Sequence, residues 1–192
     1  MLIYSLPTPL YLDRPLDHEA LITCIQVGLQ NLVDAGVAFI AMPCNSVHRY
    51  YMRLTNAIPV PLLNMIDEAT AALPSNAKKI ALLATRPTID GGLYQPALVV
   101  AGRECYHTEM LQHQMDVLID TIKTTSLAEA RPLWQTIVEM LQAARVDAVP
   151  LACTDLNAIT DMKQQPFSII DATQQHAVKT IQVWRNLKWK EN

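Results

Sequence analysis

Residues 80–85 read IALLAT, an uninterrupted apolar run of strand length that follows a Pro-Ser-Asn turn signal. Residues 37–42 and 148–153 form similar apolar runs, as expected of strands that are buried on both faces. Segments of helical spacing alternate with these runs, the first at 21–33, where apolar residues recur every three or four positions. Strands that alternate with helices predict an α/β fold with mostly parallel sheets.

The rest of the chain continues this rhythm. Ser126 and Glu129 have the spacing of a capping box, Asp171 is predicted to cap the final helix, and Pro150 indicates an edge strand or a bulge because it lacks a ladder donor. The further predicted elements are helices at 47–54, 88–101, 111–123, 127–141 and 172–187, and strands at 60–65 and 167–170.

Composition limits the class of protein. The 192 residues are 51% hydrophobic and 17% charged, with a formal net charge of -3, which suits one domain or two small ones. Since no block of five basic residues occurs, neither nucleic acid nor an anionic membrane is an expected partner. The chain has no apolar run of about 18 residues, and its first residues lack the basic region of a secretory signal, so we expect a cytoplasmic protein.

The four cysteines are scattered without a CxxC pair, which favours free thiols over disulfides. Cys44 and Cys153 share a context: each ends an apolar run and is followed by small polar residues that open a helix. Ligands bind at the carboxyl ends of parallel strands, and a helix start favours an anion, so this context predicts a lowered thiol pKa. Two such thiols that face one ligand would form a proton donor and a proton acceptor. The alternative is a packing role for each.

Several segments resemble the aspartate/glutamate racemases that work without pyridoxal phosphate. In this chain PCNSVHRYY, followed by IPVPLLNMIDEAT, is similar to the family's first cysteine block. LACTDL is similar to the family's second block, usually written LGCTEL. The matching segments are 43–51, 58–70, 80–98, 151–156 and 171–177. The resemblance implies two pseudo-symmetric Rossmann-like domains with the site in the cleft between them, residues 1–68 with 167–192 carrying Cys44 and residues 69–166 carrying Cys153. It also implies a homodimer.

The resemblance further implies the reaction: racemisation of a small acidic amino acid, with no cofactor and no metal. One cysteine, Cys44 or Cys153, removes the α-proton as a thiolate, and the other protonates the opposite face as a thiol. Four residues match positions at which the family contacts its ligand: Asn45, Ser46, Thr85 and Thr154. Helix capping is the alternative role, particularly for Ser46 and Thr154.

Substrate carboxylates require cations, and the resemblance assigns Arg14 and Lys123 to them. His48 and His176 match supporting positions, where each would orient a side chain or a helix end. Asp155 replaces the family's glutamate and shortens the carboxylate by one methylene.

Other functions remain open at this point. The same fold and cysteine pair would also suit a hydantoin racemase or a maleate isomerase. Family members begin with a strand and a glycine-rich turn, whereas this sequence begins near the segment that resembles the second strand, so a truncated relative that only binds a small acid or dimerises is a further alternative. Cys105, His107 and His113 do not have zinc-ligand spacing, and motifs for nucleotide binding or serine hydrolysis do not occur.

Overall fold

The computed structural model describes residues 1–6, 17–160 and 165–188. The chain divides into two compact units, a smaller one formed by Met1–Met42 with Tyr50–Asn64 and a larger one formed by Pro43–Arg49 with Met65–Asn192. This division differs from the predicted domains, because both the segment that carries Cys44 and the C-terminal segment belong to the larger unit.

The smaller unit contains the helices α1 (His18–Asp34) and α2 (Tyr51–Thr55). Asp17 caps α1 by accepting a hydrogen bond from the backbone N–H of Ala20, and Gly36, with a φ of 77°, follows its end. The predicted helix at 21–33 is therefore confirmed. Its apolar stripe is buried at Leu21, Ile22, Ile25 and Leu29.

The strands predicted at 37–42 and 60–65 are wrong. These runs meet only in an isolated parallel bridge between Ile40 and Leu62, in which Ile40 N–H donates to Pro61 O at 2.8 Å and Leu63 N–H donates to Ile40 O at 2.9 Å. Pro59 and Pro61 have no N–H to donate, so the second run cannot continue a ladder. Residues 1–6 form no strand either.

The larger unit contains a parallel sheet. Its strands are β1 (Lys79–Ala81), β2 (Leu83–Ala84), β3 (Glu104–Tyr106), β4 (Ala148–Ala152) and β5 (Ser168–Asp171). β1 and β2 follow one line along one side of β4, β3 lies beyond β1, and β5 pairs with the other side of β4. The predicted α/β fold with a parallel sheet is confirmed.

Pro150 does not mark an edge. It lies in β4, which has neighbours on both sides, and residues 148–151 pair with 168–171 in continuous register, so the segment has no bulge. A proline removes a single N–H from the ladder, and here the buried strand retains its other donors.

Helices surround the sheet. They are α3 (Met65–Ala71), α4 (Arg86–Asp90), α5 (Gln95–Val100), α6 (Glu109–Thr124), α7 (Leu127–Ala143) and α8 (Ala172–Lys188), with short 3-10 helices at Ser46–Tyr50 and Thr154–Ala158. Helices α6, α7 and α8 confirm the predictions, and Ser126 caps α7 by accepting from Glu129 N–H at 3.3 Å. The predicted helix at 88–101 is instead two short helices, because Gly92 between them takes a φ of 63°. None of the described helices is long and apolar enough to cross a membrane.

The sheet is buried on both faces. Ala81, Leu83 and Leu151 pack into one apolar cluster with α6 and α7, whereas Ile80 and Ala152 pack into a second cluster that includes residues of α3, α5 and α8. Successive side chains of a strand point to opposite faces of the sheet. Because both faces are buried here, every residue of the strand must be apolar. This explains the uninterrupted apolar runs.

Asp147 joins the amino ends of three strands. Its Oδ2 accepts hydrogen bonds at 2.8 Å from the backbone N–H groups of Lys78 and Lys79. Its own N–H donates to Lys79 O at 2.9 Å, and its carbonyl accepts from Ser168 N–H at 3.0 Å. One residue thus connects the starts of β1, β4 and β5.

Candidate active site

Cys44, the first thiol, lies in a short segment whose backbone is held in place by the side chain of His48. Cys44 is exposed, and the 3-10 helix Ser46–Tyr50 follows it. His48 Nε2 accepts a hydrogen bond from Met65 N–H at 3.1 Å, so Nδ1 carries the proton and donates to the Cys44 carbonyl at 2.8 Å. Because both ring nitrogens are engaged, His48 acts on the Cys44 backbone rather than as a proton-transfer group.

A cluster of three hydroxyls links this segment to the sheet. Ser46 Oγ lies 3.0 Å from Thr85 Oγ1 and 3.1 Å from Thr88 Oγ1, and the two threonine hydroxyls are 3.1 Å apart. Thr88 was not predicted as a site residue. Its signal in the sequence is the Thr-x-x-Thr spacing, which places both hydroxyls on one helical turn.

The sheet register brings the second thiol to the same edge. Ala84 pairs with Ala152 at the ends of β2 and β4. The next residues, Thr85 and Cys153, therefore leave adjacent strands side by side, at the usual strand spacing of about 4.8 Å. Since Ser46 bonds to Thr85, the Cys44 segment and Cys153 belong to one end of one sheet.

Cys153 has a different environment from Cys44. It is 7% exposed, and its Sγ donates to Asp155 Oδ2 at 3.5 Å. Burial raises the pKa of the Cys153 thiol to about 11; the Asp155 charge also raises it, whereas the Asp155 backbone N–H and the Lys123 charge lower it. The prediction of a lowered pKa is wrong for Cys153, because a five-residue 3-10 helix gives little dipole and desolvation outweighs it.

Lys123 reaches the site through Asp155. Its Nζ lies 3.2 Å from the same Asp155 Oδ2 that accepts from Cys153. The three side chains thus form a row of cation, carboxylate and thiol. Thr154 is exposed at the start of its 3-10 helix, and Arg14 lies outside the described residues.

His176 supports the packing of α8 on α3. Its Nδ1 pairs with Glu68 Oε2 at 2.5 Å, and its ring packs edge-on against His48; His176 is buried and Glu68 is partly buried. Asp171 accepts from Gln174 N–H at 3.0 Å and caps α8 as predicted. The supporting histidines therefore act on helices and backbone. Glu68 was not predicted as a site residue.

The buried side-chain amide of Asn45 has a hydrogen-bond donor without a partner among the described residues. Asn45 is 3% exposed, and its Oδ1 accepts from Tyr94 Oη at 2.5 Å. Its Nδ2 is buried and has no hydrogen-bond partner in the described part of the chain. Tyr94 was not predicted, because a tyrosine within an apolar helical pattern indicates core packing.

The carboxyl edge of this parallel sheet, where open α/β folds bind their ligands, carries two thiols, three hydroxyls and a buried amide. The sequence model of the Asp/Glu/Hydantoin racemase family matches residues 17–180, and the chain belongs to this family.

Individual relatives agree with this assignment. The chain is 39% identical over 185 residues to the broad specificity amino-acid racemase RacX of Bacillus subtilis (strain 168), covering 96% of this chain and 81% of that protein. The aspartate racemase of Picrophilus torridus is similar in structure, with a TM-score of 0.77 and 26% identity over 87% of this chain and 71% of its own. An aspartate racemase homologue from Pyrococcus horikoshii OT3 shares the fold with a TM-score of 0.77 at 20% identity, covering 95% and 82% of the two chains.

Proposed function

We propose that this protein interconverts the D and L forms of aspartate or glutamate without a cofactor, using Cys44 and Cys153 as the two bases. Membership of the racemase family supports racemisation. The observation that carries the proposal is the hydrogen bond between Ser46 and Thr85 together with the register of β2 and β4. These contacts link both cysteine segments to one sheet edge.

The proposed reaction moves one proton at each sulfur. The thiolate of one cysteine takes the α-proton, so a C–H bond breaks, an S–H bond forms and the electron pair stays on the α-carbon. The other thiol then gives its proton to the opposite face, and the electron pair forms the new C–H bond. The two sulfurs have exchanged protonation states at the end of the turnover.

The environments of the two thiols support a division of roles in the resting enzyme. Burial and the nearby carboxylate of Asp155 favour the neutral form of Cys153, which makes this residue the proton donor. Cys44 is exposed and is the proton acceptor. The resting enzyme would therefore process first the enantiomer whose α-proton faces Cys44.

The charge that develops on the substrate needs hydrogen-bond donors, since no cofactor delocalises it. The hydroxyls of Ser46 and Thr85 are proposed to donate to the α-carboxylate as it gains enediolate character, and the Asn45 amide is proposed to bind the carboxylate already in the ground state. Thr154, exposed beside Cys153, is proposed as an additional contact.

Selection of the substrate side chain would depend on Arg14 and Lys123. Lys123 shares its charge with Asp155, which reduces its attraction for a second carboxylate. The Bacillus subtilis relative is named for broad specificity. The substrate test therefore needs neutral and basic amino acids beside the acidic ones.

The test is exchange of the α-proton for solvent deuterium, followed by proton NMR with no added cofactor. Each enantiomer of aspartate, glutamate, alanine and lysine is incubated with the wild type, Cys44→Ala and Cys153→Ala, and with Cys24→Ala as a control that removes a thiol outside the site. We expect exchange of an acidic amino acid by the wild type and the control, and a loss of at least a thousandfold in racemisation for either site variant.

Two results would overturn the proposal. Exchange at the buffer rate with every amino acid would remove the racemase assignment, and a parallel incubation with a 5-substituted hydantoin would then test the other activity that the family description names. Racemisation that survives Cys44→Ala or Cys153→Ala would remove the two-cysteine mechanism.

A further inference from the structure

The buried amide of Asn45 is only half satisfied. Its oxygen accepts from Tyr94, whereas its NH2 group has no partner among the described residues. A buried donor without a partner is destabilising, and native proteins retain few of them. A donor that lies next to Cys44 in the sequence and is left unpaired in the fold is suited to an anionic ligand group.

Tyr94 decides which end of this amide remains available. Its side chain is fully buried, and burial raises its pKa, so its hydroxyl stays protonated and can always donate. In the structure this hydroxyl donates to the amide oxygen of Asn45, so the NH2 group is turned away from Tyr94. With no hydroxyl at this position, the two orientations of the amide would differ little in energy.

The main chain around Tyr94 is fixed as well. Its N–H donates to Gln95 Oε1 at 3.2 Å, and Gln95 Nε2 donates to Ile89 O at 2.9 Å. Its ring belongs to the apolar cluster that contains Leu98 and Ile89. A rigidly held ring gives the hydroxyl a defined position, which a positioning role requires.

We propose that Tyr94 is a positioning residue for substrate binding: its hydroxyl holds the Asn45 amide with the NH2 group presented to the substrate carboxylate. This inference rests on the proposed racemase function. Tyr94 does not touch the reacting atoms, and its effect passes through Asn45. The contact is made in the ground state, so its loss should raise KM more than it lowers kcat.

The test uses the substrate that the wild type racemises fastest among the amino acids above. Tyr94→Phe removes only the hydroxyl and should raise KM about three- to tenfold, with kcat changed less than twofold. Tyr51→Phe is the matched control, because it also removes a partly buried hydrogen bond of a tyrosine hydroxyl, the one to Leu62 O at 2.8 Å, and should leave KM unchanged. Thermal unfolding of both variants checks that they fold.

A second variant tests the amide directly. Asn45→Asp keeps an oxygen that accepts from Tyr94 but has no NH2 group, and it should raise KM by at least as much as Tyr94→Phe. In a double-mutant cycle, Tyr94→Phe should have no further effect on KM when Asn45 is already alanine. A purely structural tyrosine would lower activity equally in both backgrounds.

The inference fails if Tyr94→Phe has the wild-type KM, if Asn45→Asp binds substrate normally, or if the two residues act additively. Each of these results is read against an active wild type. A wild type that exchanges none of the amino acids tested would instead overturn the proposed function, and this inference with it.

Discussion

Cys153 should resist alkylation until the pH is strongly alkaline. Iodoacetamide reacts with the thiolate, so its rate follows the ionised fraction. A thiol with an ordinary pKa near 8.5 is about one-quarter ionised at pH 8, whereas a pKa of about 11 leaves about one Cys153 in a thousand ionised. Ionisation alone thus slows Cys153 by about 200-fold relative to an ordinary thiol, before any steric protection.

The assay is time-resolved labelling of the folded protein between pH 7 and 11, with the modified cysteines located by peptide mass spectrometry. The labelling rate of Cys153 should rise about tenfold per pH unit up to about pH 10, because the ionised fraction does so well below the pKa. Labelling in concentrated urea is the control, since all four thiols should then react at ordinary rates.

Two substitutions separate the causes of the shift. Asp155→Asn removes a negative charge that raises the pKa of Cys153, so labelling should become faster; Lys123→Met removes a positive charge that lowers it, so labelling should become slower. A labelling rate that levels off near pH 9 would refute the assignment of Cys153 as the resting proton donor, and so would slower labelling of Asp155→Asn together with faster labelling of Lys123→Met.

Three further predictions concern stability and are checked by urea unfolding. Arg145 adopts a φ of 53° after α7, so Arg145→Gly should stabilise the fold by about 0.5–1 kcal/mol, whereas Ala144→Gly, at a φ of -77°, should not stabilise it. Two backbone N–H groups lower the pKa of Asp147. Its charge therefore stabilises the fold above the ordinary aspartate pKa, and this stabilisation is lost as the pH falls through the pKa of the folded state. Asp147→Asn should be less stable than the wild type at pH 6, with the difference shrinking by pH 3. Leu118→Ala, at a fully buried position of α6, should cost about 2–5 kcal/mol, whereas Val117→Ala on its exposed side should cost less than about 0.5 kcal/mol.

The sequence was sufficient for the elements whose signal is local. Ser126 and Asp171 cap their helices as predicted, because a cap depends on residues three positions away. The apolar run at 80–85 forms sheet strands because neighbours on both sides pair with it. The run at 37–42 looks the same in sequence but meets a partner whose prolines end the ladder, and that information lies some twenty residues away.

The sequence was sufficient to propose residues for the candidate site but not to predict the local chemistry around them. The resemblance names Ser46 and Thr85 as ligand contacts, and the structure brings their hydroxyls together with that of Thr88. Burial raises the pKa of Cys153, and the charge of Lys123, which comes from α6, partly offsets this rise; neither effect is encoded near the cysteine. Tyr94 and Asn45 lie 49 positions apart, so their hydrogen bond leaves no local pattern.

Asp147 has a consequence for the site at the opposite end of the sheet. It ties together the first residues of β1, β4 and β5, and a parallel ladder carries the alignment set there forward along each strand. Thr85 and Cys153 lie six residues beyond Lys79 and Asp147, a distance of about 20 Å along each strand. A slip of one residue between the strands would move these two side chains to opposite faces of the sheet. The carboxylate of Asp147 therefore fixes the strand register at the amino end of the sheet. That register determines whether Thr85 and Cys153 lie side by side at the carboxyl end.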